Sequence, residues 1–330
     1  MRIQLMLQLT AAFAAACVVT ASHAQDKAAL RKLAMEVPIA DVHMHVYPGL
    51  KPAELLEAMD ENKVLWGGGV GAVVAPARID DFLPVLGKRY FPAGGQAEYV
   101  EIYRDGKVPA LESADHPLFV KLKADLDRDL ASGKIRGIGE LILNNVNSHP
   151  NPAFRRKATI DAAPIKALFS LAEKHQAFVQ IHMEDDPQSL KQLGHLLEAH
   201  PRVPVILSHC LAVGGADSAR QFLSRYPNAY CELSARSPAV LQAPVAMQKY
   251  GVHDHANLEA PWLDLIEQMP DRFMVGSDSF ASFVRYGHAI RLARSGLLAN
   301  LSEATMRKVA YENAVRVFRL PAAEALSKKE

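Results

Sequence analysis

Cysteine is scarce in this chain, with three in 330 residues, and only Cys210 and Cys231 lie beyond the apolar N-terminus. A disulfide framework is therefore excluded as the organiser of the fold, although an oxidising compartment would permit one bond between those two. An excess of one charge is lacking too: 37 Lys and Arg stand against 36 Asp and Glu, with no long run of either sign. That distribution offers no footprint for phosphate backbones, so nucleic acid is not an expected partner. Past Val19 no apolar stretch reaches spanning length, and retention in a membrane is not expected either. What is present is the material of an ordinary folded chain, 49% hydrophobic and 22% charged, with 13 histidines. Disorder is excluded, and histidine, both a metal ligand and an acid/base group near neutral pH, becomes the residue to follow.

The N-terminus reads as a targeting segment. Arg2 is followed by an apolar stretch from Leu5 to Val19, and Ser22-His23-Ala24 places small residues where a signal peptidase reads. Cleavage after Ala24 would remove residues 1–24 and leave residues 25–330 as one domain in the periplasm or outside the cell, with no membrane contact after cleavage. The sequence leaves room for a homo-oligomer.

From Val37 onward, short apolar runs alternate with amphipathic segments of ten or more residues, the rhythm of βα units around a parallel sheet. Eight strands are expected: Ile39–His45, Val70–Ala75, Tyr90–Ala93, Gly137–Leu143, Phe178–Met183, Val205–Cys210, Ala229–Ser234 and Phe273–Asp278. Helices are expected over Pro52–Leu65, Leu118–Ala131, Pro164–Lys174, Gln188–Ala199, Asp217–Tyr226 and Pro261–Met269. Two more, Ser282–Arg294 and Ser302–Phe318, open on serines suited to the N-cap. The count fits an α/β fold of the (β/α)₈ TIM-barrel class in a single domain, in which reacting groups come from the C-terminal ends of strands.

Those ends carry the polar residues. In Asp41-Val42-His43-Met44-His45 the period of two sends both imidazoles to one face, close enough to share a metal ion. Taken alone, the pair equally suits two half-buried histidines satisfied by backbone. Glu140 shares a face with Ile138 on the fourth strand, and a buried carboxylate there would call for a nearby cation. His182, His209 and Asp278 each close an apolar run. Five strand ends bearing His, Glu, His, His and Asp are hard to explain as packing.

As a set, these residues resemble the amidohydrolase superfamily of metal-dependent barrels, in its amidohydrolase-related (amidohydrolase 2) branch. The likeness runs from Asp41–His45 through Gly276-Ser277-Asp278 to Glu312-Asn313-Ala314. The resemblance implies a divalent metal, zinc or similar, as one or two ions. His43, His45 and Asp278 would hold one, His182 and His209 a second, and Glu140 would bridge them. It also implies a hydrolase that uses metal-activated water to cleave a C–O or C–N bond in a small ester, lactone or amide. Asp278 would move the proton, and His209 would polarise the carbonyl if one ion is present. A nonoxidative decarboxylase of an unsaturated or aromatic carboxylate is the alternative within the branch, and a non-catalytic ligand-binding barrel is the alternative of another class.

Tyr47, Arg78, Asn144, Asn145, His149, Glu184 and Arg236 follow strand ends and could reach a small-molecule substrate, the arginines through an anionic group. The long stretch from Arg236 to Glu259 falls on the same side and suits a lid, a surface excursion or a subunit contact. Cys210 faces the opposite pleat from His209, which favours a buried thiol over a metal ligand. His116, His195, His200 and His288 lie in helices or loops and receive no role.

Overall fold

The computed structural model describes residues 27–149, 151–239, 249–278 and 283–326. The expected signal segment and the Ser282 cap lie outside the described residues, as does most of the middle of the 236–259 stretch. No described helix is long and apolar enough to cross a membrane.

Short strands run in the order β1 (Ile39–Asp41), β2 (Val64–Gly68), β3 (Tyr90–Phe91), β4 (Ala93–Gly95), β5 (Gly137–Ile142), β6 (Phe178–His182), β7 (Val205–Ser208), β8 (Ala229–Glu232) and β9 (Phe273–Met274). Every pairing is parallel, in a three-stranded sheet β1-β2-β3 and a six-stranded sheet β4 to β9 taken in sequence order. Runs such as Val205-Ile206-Leu207 are buried throughout, as strands covered on both faces must be. Pro92 alone separates β3 from β4. At the far ends, Val42 N donates to Val275 O (3.0 Å) and Asp278 N to His43 O (3.0 Å), so the last strand's continuation lies against the first.

Between strands run helices that proline opens at its preferred first turn, including Pro52–Glu61, Pro117–Ala131, Pro187–Ala199 and Ala260–Gln268. Their apolar faces and the outer strand faces form the main core. A second buried cluster gathers Ala40, Trp66, Phe91, Phe178, Ile206 and Met274 from six strands. Phe318 closes it, its ring 5.0 Å from that of Phe91 and edge-on to that of Phe178 at 4.6 Å. Asn313 ties this last helix to β9 by donating to Pro270 O and Phe273 O. Ser302 caps the segment as expected, accepting from Thr305 N.

Three expectations need correction. The second strand is Val64–Gly68, not Val70–Ala75. The preceding helix stops at Glu61 rather than Leu65, Lys63 turns left-handed (φ 53°), and Val64 and Trp66 pair with Ile39 and Ala40. Gly67 and Gly68 are strand residues whose bareness the neighbours require. A Cβ on Gly67 would overlap the Met44 sulfur, and one on Gly68 the Phe91 carbonyl. A helix over Gln96–Leu111 was not anticipated, because Gly106 and Pro109 break its pattern at a real kink where Gly106 and Lys107 leave helical geometry.

The third correction concerns Cys210, which is not a free thiol. His209, Cys210 and Leu211 all adopt left-handed backbone (φ 57°, 46° and 63°), which lifts Cys210 off the strand pleat. Leu207 pairs with Cys231 on β8, and the two cysteines form a disulfide with Cα atoms 4.6 Å apart. The bond closes a loop of 21 residues, worth about 3 kcal/mol on chain-entropy grounds. Urea unfolding with and without dithiothreitol should differ by about that amount, and the Cys210→Ala/Cys231→Ala double variant should ignore the reductant. Identical curves for the native chain would show the bond to be absent.

Candidate metal centre

The site begins with Asp41, which is fully buried. One carboxylate oxygen accepts from His43 N (3.0 Å) and Ser277 N (2.9 Å), and the other from the Ser277 hydroxyl (2.6 Å). This clasp holds the HxH segment against the segment that bears Asp278. Gly276 must be bare, since a Cβ would overlap the Glu232 carboxylate and the His43 side chain.

Glu232, at the end of β8, carries no motif in the sequence, yet this buried acid accepts four hydrogen bonds. It accepts from His43 Nδ1 (2.8 Å), His209 N (2.6 Å), Ser234 N (2.7 Å) and Ser234 Oγ (3.0 Å). The first of these bonds commits His43 Nδ1 as a donor and turns the Nε2 lone pair inward. His209 is set the same way, with Nδ1 donating to Ser234 O (3.1 Å) and Nε2 facing the site. His182 places Nδ1 3.2 Å from Glu140 Oε1 and meets the Ser148 hydroxyl through Nε2. Gln96 donates to Glu140 Oε2 at 3.4 Å.

His43, His45, Glu140, His182, His209 and Asp278 thus meet around one buried space. His43 Nε2, His45 Nε2 and Asp278 Oδ1 are 3.0, 3.5 and 3.4 Å from one another. Three ligands at zinc-like bond lengths in a tetrahedral shell would stand about 3.3 Å apart. His43, Glu140 and His209 form a second cluster of possible ligand atoms, with contacts of 3.6 and 3.7 Å to the carboxylate. His182 stands outside both clusters.

The electrostatics point the same way. Burial works against the charged form of His43, but Glu140 and Glu232 outweigh it and hold the imidazole well above the usual histidine range. Burial also opposes ionisation of Glu140 and Asp278. The neighbouring histidines more than offset it, and both acids stay below the ordinary carboxylate range. For His209 burial prevails and its pKa is lowered. The site-facing nitrogens of His43 and His209, with two ionised carboxylates, form a donor set that a divalent cation would take up in place of the proton on His43. Two of the donors, His209 and Asp278, occupy left-handed backbone (φ 57° and 46°), the kind of local strain that gathers at functional sites.

The expected substrate-binding residues fare differently. Arg236 is fully buried and donates to the carbonyls of His209, Cys210, Gly214 and Tyr250, which makes it the clamp of the left-handed turn. Arg78 is exposed and pairs with Asp80. Glu184 accepts from Asn147 and Ser148 and so holds the loop that carries the His182 partner. Asn144 donates to Ser189 and Asn145 to Phe154 O, while His149 bonds within its own loop to Asn151. Tyr47 is partly buried beyond the Val46–Ala72 bridge, and burial raises its phenol pKa. Three of the histidines given no role pair with surface acids: His116 with Asp105, His195 with Asp161 and His200 with Glu173.

The model of a family described as Amidohydrolase matches residues 40–320. No curated protein matches the chain. Among solved structures, it is similar to an amidohydrolase from Burkholderia multivorans with bound HEPES, at 19% identity over 86% of this chain and 100% of that one (TM-score 0.49). It is also similar to a TIM-barrel protein from Bordetella bronchiseptica, at 15% identity over 81% and 82% (TM-score 0.48). A dihydroxybenzoic acid decarboxylase from Polaromonas sp. JS666, with bound manganese and 2-nitroresorcinol, shares 13% identity over 88% and 100% (TM-score 0.53). At such identities the likeness is one of fold.

Proposed function

The chain belongs to the amidohydrolase family, a family of metal-dependent enzymes, and from that premise we propose that it is an exported hydrolase that cleaves a C–O or C–N bond in a small ester, lactone or amide. The observation that carries the reading is the mutual spacing of His43 Nε2, His45 Nε2 and Asp278 Oδ1. Closure of the strands into a (β/α)₈ barrel is supported by the Val42–Val275 and His43–Asp278 backbone bonds and by the inner cluster drawn from six strands. The disulfide supports export, since such bonds persist in oxidising compartments.

One ion is the reading the donors favour. Both ligand clusters draw on His43, whose Nδ1 is committed to Glu232, so a single lone pair serves them. His43, His45 and Asp278 would hold the ion, with Glu140 beside it. Zinc suits this nitrogen-rich set. A divalent cation bound there would supply Lewis acidity, lowering the pKa of a bound water to about 7.

This chain's residues handle the protons. The Asp278 carboxylate is ionised and its side chain is 15% exposed, against 0% and 3% for His43 and His45, so it fronts the opening. It takes the proton of the attacking water and delivers it to the leaving oxygen or nitrogen. His209 Nε2, 4.0 Å from Asp278 Oδ2, carries a lone pair and not a proton. Neutral His209 therefore suits proton acceptance beside Asp278 better than the carbonyl polarisation expected from the sequence.

The test pairs elemental analysis of the purified protein with a panel of small esters, lactones, amides and aromatic carboxylates. About one divalent cation per chain and acid release without carbon dioxide are expected. Carbon dioxide release without hydrolysis would transfer the protein to the decarboxylases, and absence of both metal and turnover under metal-replete conditions would refute an enzyme at this site.

A further inference from the structure

The hydrogen bonds that place His209 come from one segment, residues 231–236. Glu232 Oε1 accepts from His209 N (2.6 Å), Ser234 O accepts from His209 Nδ1 (3.1 Å), and Arg236 donates to His209 O (2.7 Å) with its guanidinium carbon 5.0 Å from the Trp262 ring centroid. The same segment supplies Cys231, which is bonded to Cys210. Each cysteine therefore adjoins a residue of the site in the chain, Cys210 following His209 and Cys231 preceding Glu232, and both are fully buried. His209, Cys210 and Leu211 are not glycines, and three successive left-handed residues cost energy that their neighbours must offset. Each hydrogen bond contributes modestly to that, whereas the disulfide ties the turn to β8 covalently.

We propose that the Cys210–Cys231 disulfide is a positioning element of the metal centre, which holds His209 and Glu232 in place, so that its reduction loosens the site in a chain that is still folded. The inference rests on the hydrolase reading and adds a dependence of that site on thiol–disulfide state. Reduction by a dithiol is a balanced exchange: the sulfur–sulfur bond takes up two electrons and two protons to give two thiols, and the dithiol closes into its own disulfide. Left-handed backbone lifts Cys210 off the pleat toward Cys231, and the bond opposes its return. Once the bond is cut the turn relaxes, and His209 Nε2 leaves its place 4.0 Å from Asp278 Oδ2. The amide of His209 goes with it, and Glu232 Oε1, which His209 N shares with His43 Nδ1, loses one of the donors that fix it. Two histidines of the site thus depend on a bond that belongs to neither.

Proton NMR of the full-length, metal-free protein tests this without turnover. The His209 Nδ1 proton is buried and bonded to Ser234 O, so it should give a ring signal, assigned by its loss in His209→Gln. In the Cys210→Ala/Cys231→Ala variant that signal should vanish, while the Trp66 indole N–H, bonded to Pro321 O (3.0 Å), keeps its native position. Zinc affinity, read by chelator competition, should weaken by about 10- to 100-fold. A His209 signal at its native position, displacement of both signals together, or native zinc affinity would overturn the proposal. Should the variant not fold, the native protein titrated with dithiothreitol in the cold decides: the His209 signal must go as thiols appear and before circular dichroism falls, and simultaneous loss overturns it. The two readings fail separately. Stoichiometric zinc beside an unmoved ring signal sinks only the role of the disulfide, whereas loss of the signal in a protein that never binds zinc sinks only the metal centre.

Discussion

Asp278→Asn should lower turnover of any hydrolysed substrate by about 10³-fold, within the range for loss of a positioned proton-transfer group. The amide keeps the shape of the side chain but has neither the negative charge nor the basicity to accept a proton from water. The backbone need not move, because the Asp278 N–H still reaches His43 O and the Asp41 clasp holds the neighbouring Ser277. Thermal unfolding of the metal-free variant should therefore stay close to that of the metal-free native protein, while kcat falls and metal affinity weakens. Turnover within a factor of ten of native would remove Asp278 from the chemistry and leave it as a ligand alone.

Glu232→Gln should weaken metal binding by about 10- to 100-fold, although the residue never touches the ion. All four of its polar neighbours are donors, and an amide offers them one oxygen and a nitrogen that carries hydrogens of its own. The His43 ring would lose the bond that fixes its tautomer, and His209 the contact that positions its backbone. Breaking so buried a network should also cost about 3 kcal/mol of folding free energy, by analogy with loss of one partner from a buried pair. Competition with a chromophoric chelator reads the first effect and urea unfolding the second. Native affinity in a variant that melts normally would contradict the assignment. Glu232→Asp, which keeps the charge but shortens the reach, should fall between.

The ligand set was legible because it obeys simple rules. His43, His45, His182, His209 and Asp278 sit at or past strand ends and Glu140 lies inside β5, where periodicity and flanking apolar runs expose them. Glu232 obeys the same rule at the end of β8, so the signal existed. It has no partner in a linear motif, because its four donors arrive from three strand ends. Arg236 shows the opposite failure. Sequence marks an arginine at the mouth of a strand, but cannot say that a left-handed turn will bring the carbonyls of His209, Cys210 and Gly214 onto it. The displaced second strand has a steric side: at Gly67 and Gly68 any side chain would run into Met44 and Phe91.

The Asp41–Ser277 clasp also dictates an order of events. Its partners are 236 residues apart, so the metal pocket lies on the seam where the earliest and latest parts of the polypeptide meet. A chain whose β9 segment has yet to be made or to fold holds His43 and His45 without their carboxylate. Metal capture at this site would accordingly be among the last steps of folding, once the two ends of the chain have met.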